Sequence, residues 1–213
     1  MILVGQYDSP FTRRVAVALH RLDMPFTRNT LSVFANVDQA RKINPLGRVP
    51  ALILDDGDVL IDSGAILDHL DEVAGPARAL LPPSGAPRRE ALLTIALATG
   101  GMEKAVSIVY ERLLRPREKL HQPWLERCQA QLAGSLAALE ALPASDALTT
   151  GRHPQADIAV ACLIGFLNLR VPDAFPAARY PRLTALAALA EPRTEFQATR
   201  PSDTDTPPTA FKA

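Results

Sequence analysis

An α/β unit followed by an all-α domain is the fold class that this sequence predicts, and three observations predict it. Short apolar runs alternate with amphipathic stretches from residue 1 to about 75. A segment crowded with proline and glycine, "GPARALLPPSGAP", comes next. Beyond it the strand signal disappears and the apolar residues recur with the helical period. The expected division is 1–75, a linker at 76–87, helices over 88–200, and a flexible tail at 201–213, whose Pro, Thr and Asp composition is that of a mobile end.

The first strand is the short apolar run Ile2-Leu3-Val4-Gly5, which reads as buried on both faces. Pro10 to Leu22 reads as a helix, because Phe11, Val15, Ala18, Leu19 and Leu22 fall on one stripe that ends before Met24-Pro25. Phe26 to Leu31 alternates poorly and gives a second strand. A polar loop and a short helix lead through Ile43-Asn44-Pro45-Leu46-Gly47 to a strand at Ala51-Leu52-Ile53-Leu54. Asp55-Asp56-Gly57-Asp58 is a tight hairpin turn, and Val59-Leu60-Ile61 is the returning strand. Ser63 opens a helix whose Ile66, Leu67, Leu70 and Val73 carry the helical repeat. After the linker, 88–114, 124–142, 155–169 and 181–189 read as Ala- and Leu-rich helices. The stretch 156–169 is apolar nearly all the way round, which predicts the buried central helix of a bundle.

Composition narrows the function classes. The chain has 213 residues and 47% apolar content, enough for a substantial core, and its 23 Lys plus Arg balance 23 Asp plus Glu, so no summed field draws it to nucleic acid or anionic lipid. Apolar stretches broken by charge and a start without the basic flank and cleavage site of a signal peptide predict a cytoplasmic protein outside the membrane. Cys128 and Cys162 are too isolated for a disulfide framework or zinc site and read as reduced core thiols. His20, His69, His121 and His153 lack metal-ligand spacing, so no metal is expected.

Three junctions in the first half carry the chemistry, and each has a plain structural reading beside a functional one. Ser9-Pro10 is a well-made helix start, Ser as N-cap and Pro as first helical residue. It also aims a hydroxyl and several unpaired helix N–H groups at one spot, where an anion would be held. Val49-Pro50 either places a proline where a strand tolerates it or forms a cis peptide that turns the Val49 backbone outward, ready to pair with an extended peptide. Ser63 either caps its helix, with Asp62 adding charge at the positive end, or offers its hydroxyl to a ligand carboxylate while Asp62 accepts from an ammonium.

Taken together, Ser9-Pro10-Phe11-x-Arg13-Arg14-Val15, Asn44-Pro45-Leu46-Gly47-Arg48-Val49-Pro50-Ala51-Leu52 and Asp62-Ser63-x-Ala65-Ile66 leading into "LDHLDE" resemble the cytosolic glutathione S-transferases, in their bacterial Ser-Pro-Phe form. The resemblance covers all but the tail. It implies a thioredoxin-like N-terminal domain, an all-helical C-terminal domain, and glutathione as co-substrate. In the family's terms Val49 pairs its backbone with the cysteinyl unit, Pro50 is cis, Asp62 and Ser63 take the γ-glutamyl end, and Arg48 or the loop of Phe34 to Val37 faces the glycine end. Phe11 belongs to the glutathione site and also borders an electrophile pocket. Ser9 then stands beside the sulfur, so the awaited anion is a thiolate.

A free thiol has a pKa of about 8.5, and each unit of lowering takes about 1.4 kcal/mol of preference for the anion. A helix N-terminus supplies roughly 0.3 to 1 kcal/mol, and a hydrogen bond to a charged group about 1.5 to 3, together enough for one to two units. Ser9 is the expected donor; Tyr7 is the rival, since other branches of the family use a tyrosine.

The departures from the family pattern matter too. No Cys stands at position 9, which argues against thiol transfer or dehydroascorbate reduction. The family's Ser/Thr-x-x-Asp capping box ahead of the buried helix is broken: Pro154 holds the hydroxyl's place before Gln155, Ala156 and Asp157, leaving His153 or Thr150 as substitute caps. For the second substrate, Met102, Val106 and Tyr110 share one helical face that is either plain core or pocket. Gly100-Gly101 each cost that helix roughly 1 kcal/mol, which suggests a kink or a close contact at a subunit interface or ligand. Trp124 and His121 flank a helix start and can be packing alone.

The expected activity is a detoxifying conjugation of the thiolate to a small apolar electrophile by a homodimer, with no nucleic acid or membrane partner. The alternatives are a binding or regulatory protein that keeps the fold without turnover, and a glutathione-dependent isomerase or dehalogenase.

Overall fold

The computed structural model describes residues 1–142, 153–202 and 205. The backbone groups into two units, Met1–Pro83 joined by the described part of Pro192–Pro208, and Ser84–Glu191.

In the first unit β1 (Ile2–Val4) is the hub of a four-stranded sheet ordered β2-β1-β3-β4. It pairs in parallel with β2 (Thr27–Asn29) and antiparallel with β3 (Ala51–Ile53), which pairs antiparallel with β4 (Val59–Leu60). Burial follows the sequence only in part: Leu3, Val4 and Leu52 are covered, whereas Ile2, expected in a strand buried on both faces, is exposed at the start of β1. The weak alternation at Phe26 to Leu31 becomes a three-residue strand, paired to β1 from Thr27 to Asn29. Leu54 N–H donates to Asp58 O at 2.8 Å, closing the turn between β3 and β4.

Three helices accompany the sheet: α1 (Pro10–Arg21), α2 (Val37–Ile43) and α3 (Ser63–Ala74). Instead of one stripe, α1 is buried on all sides from Thr12 to Leu19, with Phe11 of the expected stripe only half-buried; α3 buries Ile66, Leu67 and Leu70, while Val73 is exposed. After α3 the proline-rich stretch is tied back by Asp71, whose carboxylate accepts the N–H groups of Leu80 and Leu81 at 2.7 and 3.1 Å.

The second unit is helical: α4 (Gly85–Leu114), α5 (Gln122–Ala141), α6 (Pro154–Arg170) and α7 (Pro181–Ala190). The helix begins at Gly85 rather than at Arg88 because Pro87 stands in its first turn, where the missing N–H costs no helical bond. The helix α6 is the buried centre, covered from Gln155 through Ile164 and again at Phe166 and Leu167. Cys128 and Cys162 are free and buried, and burial pushes the Cys128 thiol up. By length and composition α4 meets the criterion for a membrane span, contrary to the interruption by charge expected from the sequence, since only Glu103 and Lys104 fall within its apolar run. One of its faces is nevertheless packed against α5 and α6.

Gly100 and Gly101 do not break α4, which runs unbroken through both. A Cβ on Gly101 would stand 2.8 Å from Ser135 Oγ and 3.0 Å from Leu163 Cδ2, so this glycine lets α4 close on α5 and α6. This close contact is made inside the helical unit, between its own helices. A Cβ on Gly100 would meet nothing within 4 Å.

The chain then returns to the first unit. The short helix α8 (Thr194–Gln197) packs on α1, where Arg13 donates to Thr199 O at 3.2 Å and to Phe196 O at 3.3 Å, with its guanidinium 5.5 Å from the Phe196 ring centroid. Within the tail expected from residue 201, the described Asp205 is fully buried and hydrogen-bonded to both Tyr7 and Ser202.

At the start of α6, His153 occupies the N-cap position but makes no side-chain cap bond, and its Nε2 lies 3.8 Å from Glu90. Thr150, the other candidate cap, lies outside the described residues. Asp157 is buried in the first turn.

Candidate functional site

The sheet register brings the three junctions to one end of the first unit. Because Val4 pairs with Ala51 and Leu52 with Leu60, the end of β1, the start of β3 and the end of β4 are neighbours. The loop to Ser9, the Val49-Pro50 dipeptide and the step into Asp62-Ser63 leave from that common edge, and both α1 and α3 begin there.

The glycine that ends β1 closes this corner. Gly5 has φ of +137°, and a Cβ there would come within 2.6 Å of Thr12 Oγ1 and 3.0 Å of Val49 Cβ. Only a residue without a side chain lets α1 and the Val49 loop approach so closely. Nothing but its place after an apolar run marked Gly5 in the sequence.

At the first junction Ser9 is the N-cap of α1: its Oγ accepts from Thr12 N–H at 3.3 Å. Capping uses the oxygen as acceptor and leaves the hydroxyl proton for a second partner, so both readings of Ser9 are compatible in one geometry. Phe11, the second residue of α1, is half-buried.

Tyr7 is placed differently. It is buried, and the Arg28 guanidinium carbon lies 3.5 Å from its ring centroid. Burial pushes the phenol up, with the Arg28 charge opposing, while burial in turn lowers Arg28. A phenol held in a stack with an arginine is a less adaptable donor than the half-buried Ser9 hydroxyl.

At the second junction the Val49–Pro50 peptide is cis. Among the described residues, the Val49 N–H and C=O take no backbone hydrogen bond, although β3 begins two residues later. Asn44 Nδ2 donates to Arg48 O at 2.8 Å and fixes the approach to the dipeptide. Arg48 is exposed on the same loop. The Phe34 loop is braced by Ser32, whose Oγ accepts from Phe34 N–H and Ala35 N–H at 3.2 and 3.3 Å.

At the third junction the cap of α3 is Asp62, whose Oδ1 accepts from Gly64 N–H at 2.8 Å. Ser63 is therefore the first helical residue, buried at its Cα turn, with a hydroxyl that the cap does not use. The structural reading of Ser63 as a cap is replaced by Asp62 in that role.

Of the electrophile-pocket candidates, Phe11 lies on α1 of the first unit and the other three on α4 of the second. Met102 is fully buried, Val106 half-buried and Tyr110 exposed, so the stripe climbs from core to surface. Trp124 is exposed with Lys104 Nζ 5.8 Å from its ring centroid, and His121 N–H donates to Glu111 Oε1 at 3.0 Å.

Comparison with known proteins adds a family context. Residues 3–78 match the glutathione S-transferase N-terminal domain. The chain is 31% identical over 170 residues to an uncharacterized GST-like protein, YibF, of Escherichia coli K12, covering 80% of this chain and 83% of that one. It is 28% identical over 225 residues to maleylacetoacetate isomerase of Pseudomonas aeruginosa, covering 97% and 99% of the two chains. Among solved structures, a glutathione transferase family member from Pseudomonas fluorescens Pf-5 with bound glutathione superposes with a TM-score of 0.84 at 36% identity, covering 94% of this chain and 98% of that one.

Proposed function

This chain belongs to the glutathione transferase family, and we propose that it binds glutathione on the first unit, keeps the sulfur ionised at the amino end of α1, and adds it to a small apolar electrophile. The observation that carries this reading is a set of groups at one edge of the sheet that is uncommitted among the described residues: the Ser9 hydroxyl proton, the Val49 N–H and C=O, and the Ser63 hydroxyl. An extended tripeptide needs such a set. The Val49 backbone pairs with the cysteinyl unit as a short strand addition. Ser63 and the first N–H groups of α3 hold the γ-glutamyl carboxylate, and Asp62, while capping, keeps an oxygen for the ammonium. Arg48 faces the glycine end.

Held in this way, the sulfur stands at the start of α1. Ser9 donates its proton to the thiolate while its oxygen accepts from Thr12 N–H, and the helix end adds its partial positive charge. The substrate sulfur is the nucleophile, and the protein's part is to make its anion common at neutral pH. Ultraviolet titration of bound glutathione tests this: a thiolate midpoint one to two units below that of the free tripeptide (about 8.5 for an ordinary thiol) supports it. A midpoint equal to the free value favours a binding protein without turnover.

The full-length similarity to a maleylacetoacetate isomerase favours a second reading. There the same thiolate adds to a conjugated double bond, allows rotation about it, and departs, so that glutathione returns unchanged. Measuring glutathione consumed per product formed separates the two, since conjugation consumes one per turnover and isomerisation none. The homodimer and the cytoplasmic setting implied by the resemblance belong to the proposal.

A further inference from the structure

The corner from Gln6 to Ser9 must place the Ser9 hydroxyl, and it is closed internally by Ser9 N–H donating to Gln6 O at 3.2 Å. Its second fixed point comes from the far end of the chain. Tyr7 N–H, in a buried position, donates to Asp205 Oδ1 at 3.1 Å. Asp205 is fully buried, and both of its oxygens are engaged. Oδ1 also pairs with Arg28, whose guanidinium covers the Tyr7 ring. Oδ2 accepts from Ser202 N–H at 3.1 Å and from Ser202 Oγ at 2.8 Å, while Asp205 N–H donates to Ser202 O at 2.9 Å. The segment that delivers this carboxylate is itself pinned to α1, because Arg13 holds the carbonyls of Phe196 and Thr199. One carboxylate thus fixes the backbone and, through Arg28, the ring of the residue two places before Ser9.

We propose that Asp205 is a positioning residue for the thiolate corner: by holding Tyr7 N–H it sets where the Ser9 hydroxyl and the first N–H groups of α1 stand relative to the sulfur. The inference rests on the thiolate reading above and adds a residue from the opposite end of the chain to it. The physical ground is the steep distance and angle dependence of a charge-assisted hydrogen bond, so that a corner free to shift stabilises the anion less. The tripeptide itself is held elsewhere, at Val49, Asp62 and Ser63, so loosening the corner changes thiolate formation more than affinity.

The full-length protein tests this with Asp205→Ala, Asp205→Asn and Ser9→Ala, each titrated for thiolate absorbance with glutathione bound. Asparagine keeps an acceptor oxygen for Tyr7 N–H, whereas alanine removes it. The expected result is a midpoint for Asp205→Asn near that of the unaltered protein. For Asp205→Ala it rises toward that of Ser9→Ala, by about one unit or tenfold in thiolate fraction, with glutathione affinity changed less than about threefold. A merely structural carboxylate would lower the unfolding temperature and leave the midpoint in place, and that result overturns the inference. Equal shifts for asparagine and alanine also overturn it, because charge and not placement would then be responsible. Should Asp205→Ala fail to fold, Ser202→Ala removes the hydroxyl bond to Oδ2 and keeps the backbone one; a smaller shift in the same direction supports the inference and an unmoved midpoint overturns it. An unmoved midpoint in Ser9→Ala instead strikes the thiolate reading itself.

Discussion

Asp62 and Ser63 divide the work at the start of α3: Asp62 Oδ1 accepts Gly64 N–H at 2.8 Å and caps the helix, which leaves the adjacent Ser63 hydroxyl outside the cap. Removal of the two side chains should therefore have separable effects. Ser63→Ala should weaken glutathione binding about tenfold or more, the loss of one hydrogen bond to a carboxylate, and leave thermal unfolding nearly unchanged. Asp62→Ala should lower stability by roughly 0.5 to 2 kcal/mol, the ordinary cost of losing a cap, and weaken binding as well. Calorimetric titration with glutathione and thermal unfolding read the two effects independently; unaltered affinity in Ser63→Ala would displace the γ-glutamyl end from this corner.

Ser9 combines the two duties that Asp62 and Ser63 divide. Ser9→Ala should raise the thiolate midpoint by about one to two units, reduce turnover in proportion, and cost up to about 2 kcal/mol of stability through the lost cap. Ser9→Asp separates the contributions, because aspartate caps a helix as well as serine does but repels a neighbouring anion. It should fold normally and still titrate high. If Ser9→Ala leaves the pH–rate profile unmoved, the donor is Tyr7 or the backbone.

Gly100 and Gly101 make a neighbouring pair with opposite expectations. Gly100→Ala meets open space and should stabilise the helical unit by up to about 1 kcal/mol through helix propensity. Gly101→Ala drives a methyl against Ser135 Oγ, which is held by its bond to Leu97 O at 2.7 Å, and against Leu163, so it should destabilise despite the same propensity gain. Thermal unfolding of the two variants should therefore bracket the unaltered protein, one above it and one below it.

The elements that the sequence reveals are those with strong local signals. The apolar run of β1, the helical spacing of α1, the Asp-Gly turn at 56–57 and the all-round apolar α6 each declare themselves, since period and turn chemistry act within a few residues. The cap of α3 was ambiguous because Asp and Ser are equally good caps and stand side by side, so nothing local selects one. Arg28 sits in a strand whose alternation is poor, and Asp205 sits in a stretch whose composition is that of a loose end. Their partnership with Tyr7 spans almost the whole chain, and no periodicity encodes a contact of that kind. The same holds for Gly5, whose need to lack a Cβ is set by Thr12 and Val49 together.

Glu111 gives the helical unit a pH dependence whose sign follows from geometry. Its carboxylate accepts His121 N–H at 3.0 Å, serving the start of α5 from the end of α4, and pairs with Arg115 at 2.7 Å. That hydrogen bond, with a smaller contribution from Arg115, holds the Glu111 pKa below the ordinary glutamate value despite burial. A carboxyl whose folded pKa is depressed binds its proton more readily when unfolded, so its contribution is complete above the unfolded value, about 4.3, and is lost as pH falls through the lower folded value. Glu111→Gln keeps the shape and an acceptor oxygen but removes the charge. Its unfolding midpoint in denaturant should lie below that of the unaltered protein by a constant amount between pH 7 and about pH 5, and the gap should close as the pH is lowered further. A gap that persists unchanged into acid would mean that Glu111 stabilises through packing alone, and a gap that widens would reverse the sign argued here.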